Sequence, residues 1–390
     1  MMKRLLFEFH TQWFTIVMGI GIVAGLSATA PFYVPARALL SNTLAGIDGT
    51  LLVAATLILL FQLVIHPRKS LKDFLDPART LFYGAFAMAI NVVGNDVLIL
   101  GAHATYASFA IALSKAIWLI GCVASLFSVL AVPIVLFLRR EKSLEHTRAA
   151  WLIPVVPPIV AAATGANLLP YFVNSSMRLD MTLAILALFG LTLFFFLVMS
   201  VFVVSRLTHH ARIGGFEAPS LFIEIGPIGM SMATLSNLAI HSSALSVLSG
   251  SVLKTLAILV SCGMYGIGFW WIITASFFSI YHLTRRGDGL KHHLGWWSYV
   301  FPLGSFTTGT FSLAMLLGEP AVLRVAGALQ FYLLWGFFLI VIAQTIRELI
   351  LSLTQRTVQK SLPLPAQSAQ RDRRRPVTLP SDALDPPTGT

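Results

Sequence analysis

Charge is scarce in this chain. Only 11% of its 390 residues are Asp, Glu, Lys or Arg, against about 25% in a soluble domain, so the side chains needed to cover a water-facing surface are missing. Cysteine is scarcer still. Cys122 and Cys262 both fall inside apolar runs; they offer no disulfide framework and no metal spacing, and read as small buried hydrophobes. Histidine gives no metal site either. His103 and His241 stand singly in loops, while His209-His210 and His292-His293 sit in basic loops and read as solvated. No metal and no cofactor are expected.

What the chain has in abundance is apolar sequence, 56% of the total. A membrane helix needs about 20 mostly apolar residues, and ten runs qualify: 13–30, 44–65, 81–100, 113–138, 151–171, 181–205, 219–240, 250–283, 296–317 and 322–350. The expected fold is therefore an all-α integral membrane protein with ten transmembrane helices. The expected division is a short N-terminus (1–12), a ten-helix transport domain (13–350) and a tail (351–390). The tail, with the run RDRRRP and many prolines, reads as disordered. All but Arg37, Lys115, Arg178, Lys254 and Arg324 of the 27 Lys and Arg fall at the termini or in alternate loops. That asymmetry sets both termini in the cytoplasm. It also accounts for the net charge of +11 without nucleic acid as a partner. A signal peptide is the rival reading of MMKR, the first run and Ala28-Thr29-Ala30. Glu8, His10 and Pro31 stand against it.

Proline divides the spans. The odd-numbered ones carry Pro154, Pro157, Pro158, Pro170, Pro219, Pro227 and Pro302, and the even-numbered ones only Pro133. Proline removes a helix hydrogen bond, and in a bilayer the freed carbonyl needs protein or water beside it. Odd helices kinked at Pro157, Pro158, Pro227 and Pro302 are thus expected around a central path, with the even helices outside facing lipid. Steps of three and four from Ser298 give Phe301, Ser305, Thr308 and Ser312, a hydroxyl stripe interrupted by one aromatic ring. Span seven offers Ser231 and Thr234 beyond Glu224, span five Thr164 and Asn167, span three Asn91 and Asn95. Such groups replace part of an ion's hydration shell without holding it tightly. Each serine or threonine alone could equally be interhelical glue.

Four stretches carry a resemblance: FTIVMGIGIVAGL (14–26), WLIPVVPPIVAAATGANLLP (151–170), PSLFIEIGPIGMSMA (219–233) and WWSYVFPLGSFTTGTFSLA (296–314). They are similar to the tellurite-resistance/dicarboxylate transporter family, which includes tellurite-resistance permeases, fungal malate permeases, sulfite efflux pumps and plant slow anion channels. The resemblance implies five helical hairpins with the odd helices inside, a homotrimer, and a phenylalanine plugging the pore, which here is Phe301. The expectation is a plasma-membrane (bacterial inner-membrane) permease or channel, not an enzyme, for small anions. C4-dicarboxylates such as malate come first, then sulfite, tellurite-type or inorganic monovalent anions. Glu224 departs from this pattern, because a fixed negative charge repels an anion; protonated, it would not, so Glu224 is a candidate for proton coupling. Asp96, near the outer end of span three, is the second candidate. A membrane-embedded enzyme would need a cluster of such groups, and a closed scaffold would leave the hydroxyl stripes without use.

Overall fold

A computed structural model describes residues 9–138, 144–210, 212–241 and 250–361, with side chains at all but 353 and 355–361. Residues 1–345 form one compact unit and 346–390 a second. No strand occurs among the described residues. Ten of the helices have twelve or more residues: α1 Phe14–Thr29, α2 Arg37–Ile65, α3 Tyr83–Gly101, α4 Ala107–Phe137, α5 Pro157–Leu168, α6 Ser175–His209, α7 Ile225–Ile240, α8 Gly250–Leu283, α9 Phe301–Leu316 and α10 Ala321–Ser361.

Eight helical stretches are long and apolar enough to cross a bilayer, two fewer than the sequence leads one to expect. The fifth and ninth runs are the exceptions. α5 has 12 residues and α9 16, each preceded by 3-10 turns, Ala149–Leu152 and Leu294–Tyr299. Proline explains the shortfall. Pro157, Pro158 and Pro302 occupy the first positions of α5 and α9, and Pro227 the first turn of α7 after the 3-10 segment Ala218–Glu224. There a missing N–H costs nothing. These prolines start α-helices rather than kink them from within, and the break falls at the junction with the 3-10 turn. At the other end of the chain, α10 runs to Ser361, past the expected end at 350; the rest of the expected tail, from 362, lies outside the described residues.

The helices divide by burial as proline placement suggests. The apolar windows of α1, α3 and α7 are 78%, 72% and 94% buried, while those of α2, α6, α8 and α10 are only 22–28% buried; the latter expose rows of Leu, Val, Ile and Phe that only lipid or another apolar surface can cover. Contacts follow the same order. α1 packs on α3, α3 on α5, α5 on α7, α7 on α9, and α9 on α1, closing a ring. Each of α2, α4, α6 and α8 packs on the odd helix before it and the one after it. The ring is tightest between α7 and α9, where Gly229 and Gly309 meet backbone: a Cβ at Gly229 would overlap the Ser305 carbonyl and Phe306 Cα, and one at Gly309 the Gly229 carbonyl. Small residues allow this approach without a hydrophobic driving force.

Three of the five cations outside the basic loops cap helix ends. Arg37 donates to the carbonyls of Ala30 and Phe32 just past α1. Lys115 donates to Tyr171 at 2.7 Å and Arg178 to Phe172, just past α5. These carbonyls have no partner within their own helix. On the opposite side, Glu217 bridges Arg148 at 2.7 Å and Arg206 at 2.8 Å, and Arg206 also donates to the Thr147 carbonyl.

Candidate functional site

A cavity of about 220 Å³ opens inside the ring, bounded by all five odd helices. Its polar lining consists of Thr29 of α1, Asn95 and Asp96 of α3, Thr164 and Asn167 of α5, Asn237 of α7, and Thr308 and Ser312 of α9. Six of the residues expected from the sequence are thus brought together. The asparagines form a relay: Asn237 Nδ2 donates to Asn167 Oδ1 at 2.7 Å, and Asn167 Nδ2 to Asn95 Oδ1 at 2.8 Å. Among the described residues no Lys, Arg or His borders this space. A second, wider cavity of about 560 Å³ shares Thr29, Ile99 and Asn167 with it and adds Arg37, His103 and His241.

The other expected residues lie elsewhere. Asn91 is fully buried against α4, donating to Ser125 Oγ at 3.2 Å and to its own helix at Ala87. Ser231 and Thr234 are buried and absent from the cavity wall; Thr234 donates to the Met230 carbonyl at 2.7 Å. Ser298 sits in the 3-10 turn ahead of α9, so the helical spacing that joined it to Phe301 does not hold there. Ser305 and Phe301 are 0% and 2% exposed, one and two turns deeper along α9 than Thr308. The cavity therefore ends above them.

Hydroxyl bonding in α9 has a chemical consequence. Ser305, Thr307, Thr308 and Thr310 each donate to the carbonyl four residues back, at 2.8–3.0 Å. Without water this satisfies the hydroxyl and leaves its lone pairs free. To donate to an anion, Thr308 must turn its O–H away from Gly304, at a cost of about 1 kcal/mol. Such a site binds weakly.

Glu224 does not face the cavity. It ends the 3-10 segment before α7, is 0% exposed, and accepts from Ser200 Oγ of α6 at 2.5 Å, with Oε1 unpartnered. Sequence reasoning passed over two of the eight polar lining residues, Thr29 and Asn237. Asn237 lies one step of three beyond Thr234 on the stripe already traced. Asp48, fully buried on α2, was also unforeseen; it is absent from the cavity lining and borders Gly21 of α1 instead. Among the described residues no group of three or more His, Cys, Asp or Glu could hold a metal.

A chain whose long apolar helices enclose a ring of short ones around a polar cavity is a multi-pass membrane protein of the transport class. Sequence comparison is specific on the kind. A profile of the voltage-dependent anion channel family matches residues 8–346, and the chain belongs to that family. An uncharacterized transporter of Methanocaldococcus jannaschii is 24% identical over 347 residues, 89% of this chain and 96% of the relative. The sulfite efflux pump SSU1 of Trichophyton rubrum is 26% identical over 320 residues, covering 80% and 84%. The SSU1 pump of Arthroderma otae is 25% identical over 343, covering 86% and 87%.

Proposed function

We propose that small anions cross the membrane through the ring of odd helices, with Phe301 as the stopper. The observation that carries this reading is the position of the cavity. It is lined by hydroxyls and amides from all five odd helices and ends one turn above Ser305 and two above Phe301. In this arrangement ten helices span the bilayer as five pairs, α5 and α9 reaching across with the help of their 3-10 turns, which rise about 2 Å per residue. The subunit lies in the plasma membrane with both termini cytoplasmic, and three subunits associate through the apolar outer helices, as the family resemblance implies.

Sulfite ranks first among the anions, because two of the three relatives named above are sulfite efflux pumps; C4-dicarboxylates such as malate rank second. The absence of Lys and Arg from the inner cavity supports rapid release over tight capture. A proton-dependent version of the same transport is favoured by one observation, the buried carboxylate of Asp96 in the cavity wall.

Planar-bilayer recording of Phe301→Ala in chloride, sulfite and malate solutions tests the reading. Removing the ring should lower the barrier by about 1.4 kcal/mol or more, a tenfold or larger rise in current, with sulfite carried better than malate. A current no greater than that of the unaltered chain in all three solutions would overturn it.

A further inference from the structure

Two aspartates face one missing side chain. A methyl group placed on Gly21 of α1 would lie 2.5 Å from Asp48 Oδ2 and 3.1 Å from Asp96 Oδ2. Asp48 comes from α2 and Asp96 from α3, and their exposures are 0% and 3%. Both oxygens of Asp48 and Oδ2 of Asp96 are buried with no hydrogen-bond partner. Gly25, one turn along α1, makes room for the other Asp96 oxygen, at 2.7 Å from its own missing Cβ. Asp96 also forms part of the inner cavity wall.

Among the described residues no positive side chain balances the pair. α1 and α5 carry no titratable residue. On α4, Lys115 is bound to the Tyr171 carbonyl and lies over the Phe172 ring, and the only other titratable group is the thiol of Cys122. At the start of α2, Arg37 is bound to the Ala30 and Phe32 carbonyls. Arg68, Lys69, Lys72 and Asp73 lie beyond the far end of α2, where Lys69 and Asp73 pair at 2.6 Å. On α3 itself the other titratable group is Tyr83, at the opposite end of the helix. Two carboxylate charges buried together without a cation repel each other and are costly to desolvate, so the pair favours taking up something positive. A metal ion requires a shell of oxygens. The gap at Gly21 instead brings in Val92 Cγ1, as near to the missing Cβ as the Asp48 oxygen. A proton needs only the two carboxyl groups.

We propose that Asp48 and Asp96 form a proton-binding pair whose charge controls whether anions occupy the inner cavity. With one proton between them, one carboxyl donates to the other and the pair carries a single delocalised negative charge. When that proton leaves to water, a second negative charge stands at the cavity wall and excludes the anion. The proposal rests on the reading of the cavity as an anion path, and it moves proton control from Glu224, which faces α6, to this pair.

The test has two arms, both in the full chain carrying Glu224→Gln to remove the other buried carboxyl. In detergent, infrared difference spectra in light and heavy water should contain the C=O stretch of a protonated carboxyl. Asp48→Asn and Asp96→Asn should each displace that band, and the double variant should abolish it. A missing band in the parent, or one unaffected by the double variant, overturns the pair. The second arm adds Phe301→Ala and follows chloride efflux from proteoliposomes, since chloride does not itself titrate. Efflux should fall about tenfold from acid to alkaline pH, and the double variant should remove that dependence. A pH profile surviving in the double variant overturns the control of occupancy. Absence of efflux from every protein would count against the path itself, while the infrared result still decides the pair.

Discussion

At the residue scale, polar groups here are held by partners chosen for lack of water. His293 is an instance outside the membrane spans. Its ring stacks on Phe216 with centroids 3.9 Å apart, its Nε2 donates to the Phe216 carbonyl at 2.9 Å, and its Nδ1 accepts from the Gly295 N–H at 3.0 Å. It is therefore neutral and half-buried, unlike the solvated histidine its basic loop suggests. Burial pushes the His293 imidazole below the ordinary histidine range; the Phe216 carbonyl acts against this and His292 adds to it. The sign follows by linkage. The unfolded chain takes up the proton first, so the stability contributed by the neutral ring is present above about pH 6.5 and lost as pH falls through the folded value. Thermal melting in detergent should show His293→Phe less stable at neutral pH by about 1 kcal/mol, with a shallower loss on acidification than the parent. An unchanged acid slope would refute this account of His293.

At the scale of elements, the crossing of α7 and α9 sets the geometry of the ring. Because Gly229 and Gly309 each meet the other helix's backbone, a side chain at either has nowhere to turn. Gly229→Leu should cost about 1–3 kcal/mol through overpacking, read as a lower melting temperature; a variant that melts with the parent would mean the two helices do not need this contact. Much at this scale was legible in the sequence. The start of α8 and the ends of α2 and α8 fall where the apolar runs do, since length and hydropathy act locally. Proline marked three of the inner helices, α5, α7 and α9, for the same reason; α1 and α3 have none and were placed inside by alternation alone. What proline count could not give was the manner of the break. A proline reads alike whether it kinks a helix or opens one, and only the 3-10 turns ahead of α5, α7 and α9 distinguish the cases.

At the scale of the whole molecule, the site emerges from register between distant helices, and sequence spacing sees one helix at a time. Thr308 and Ser312 were legible because α9 is regular there. Ser298 was not, because the 3-10 turn resets the phase. Asn91 carries the same chemistry as Asn95, yet four residues along α3 turn it onto Ser125 of α4. The pairing of Asp48 with Asp96 needs three helices and a glycine to exist at all. The central claim is a water-accessible path through the odd helices, closed by Phe301. Its most direct test is thiol accessibility in a chain whose Cys122 and Cys262 are replaced by Ala, with single cysteines at Thr308, Ser312 and Ser305. A membrane-impermeant reagent should label Thr308→Cys and Ser312→Cys with Phe301 intact, and Ser305→Cys only once Phe301→Ala is added. If Thr308→Cys and Ser305→Cys both stay unlabelled after the ring is removed, no such path exists.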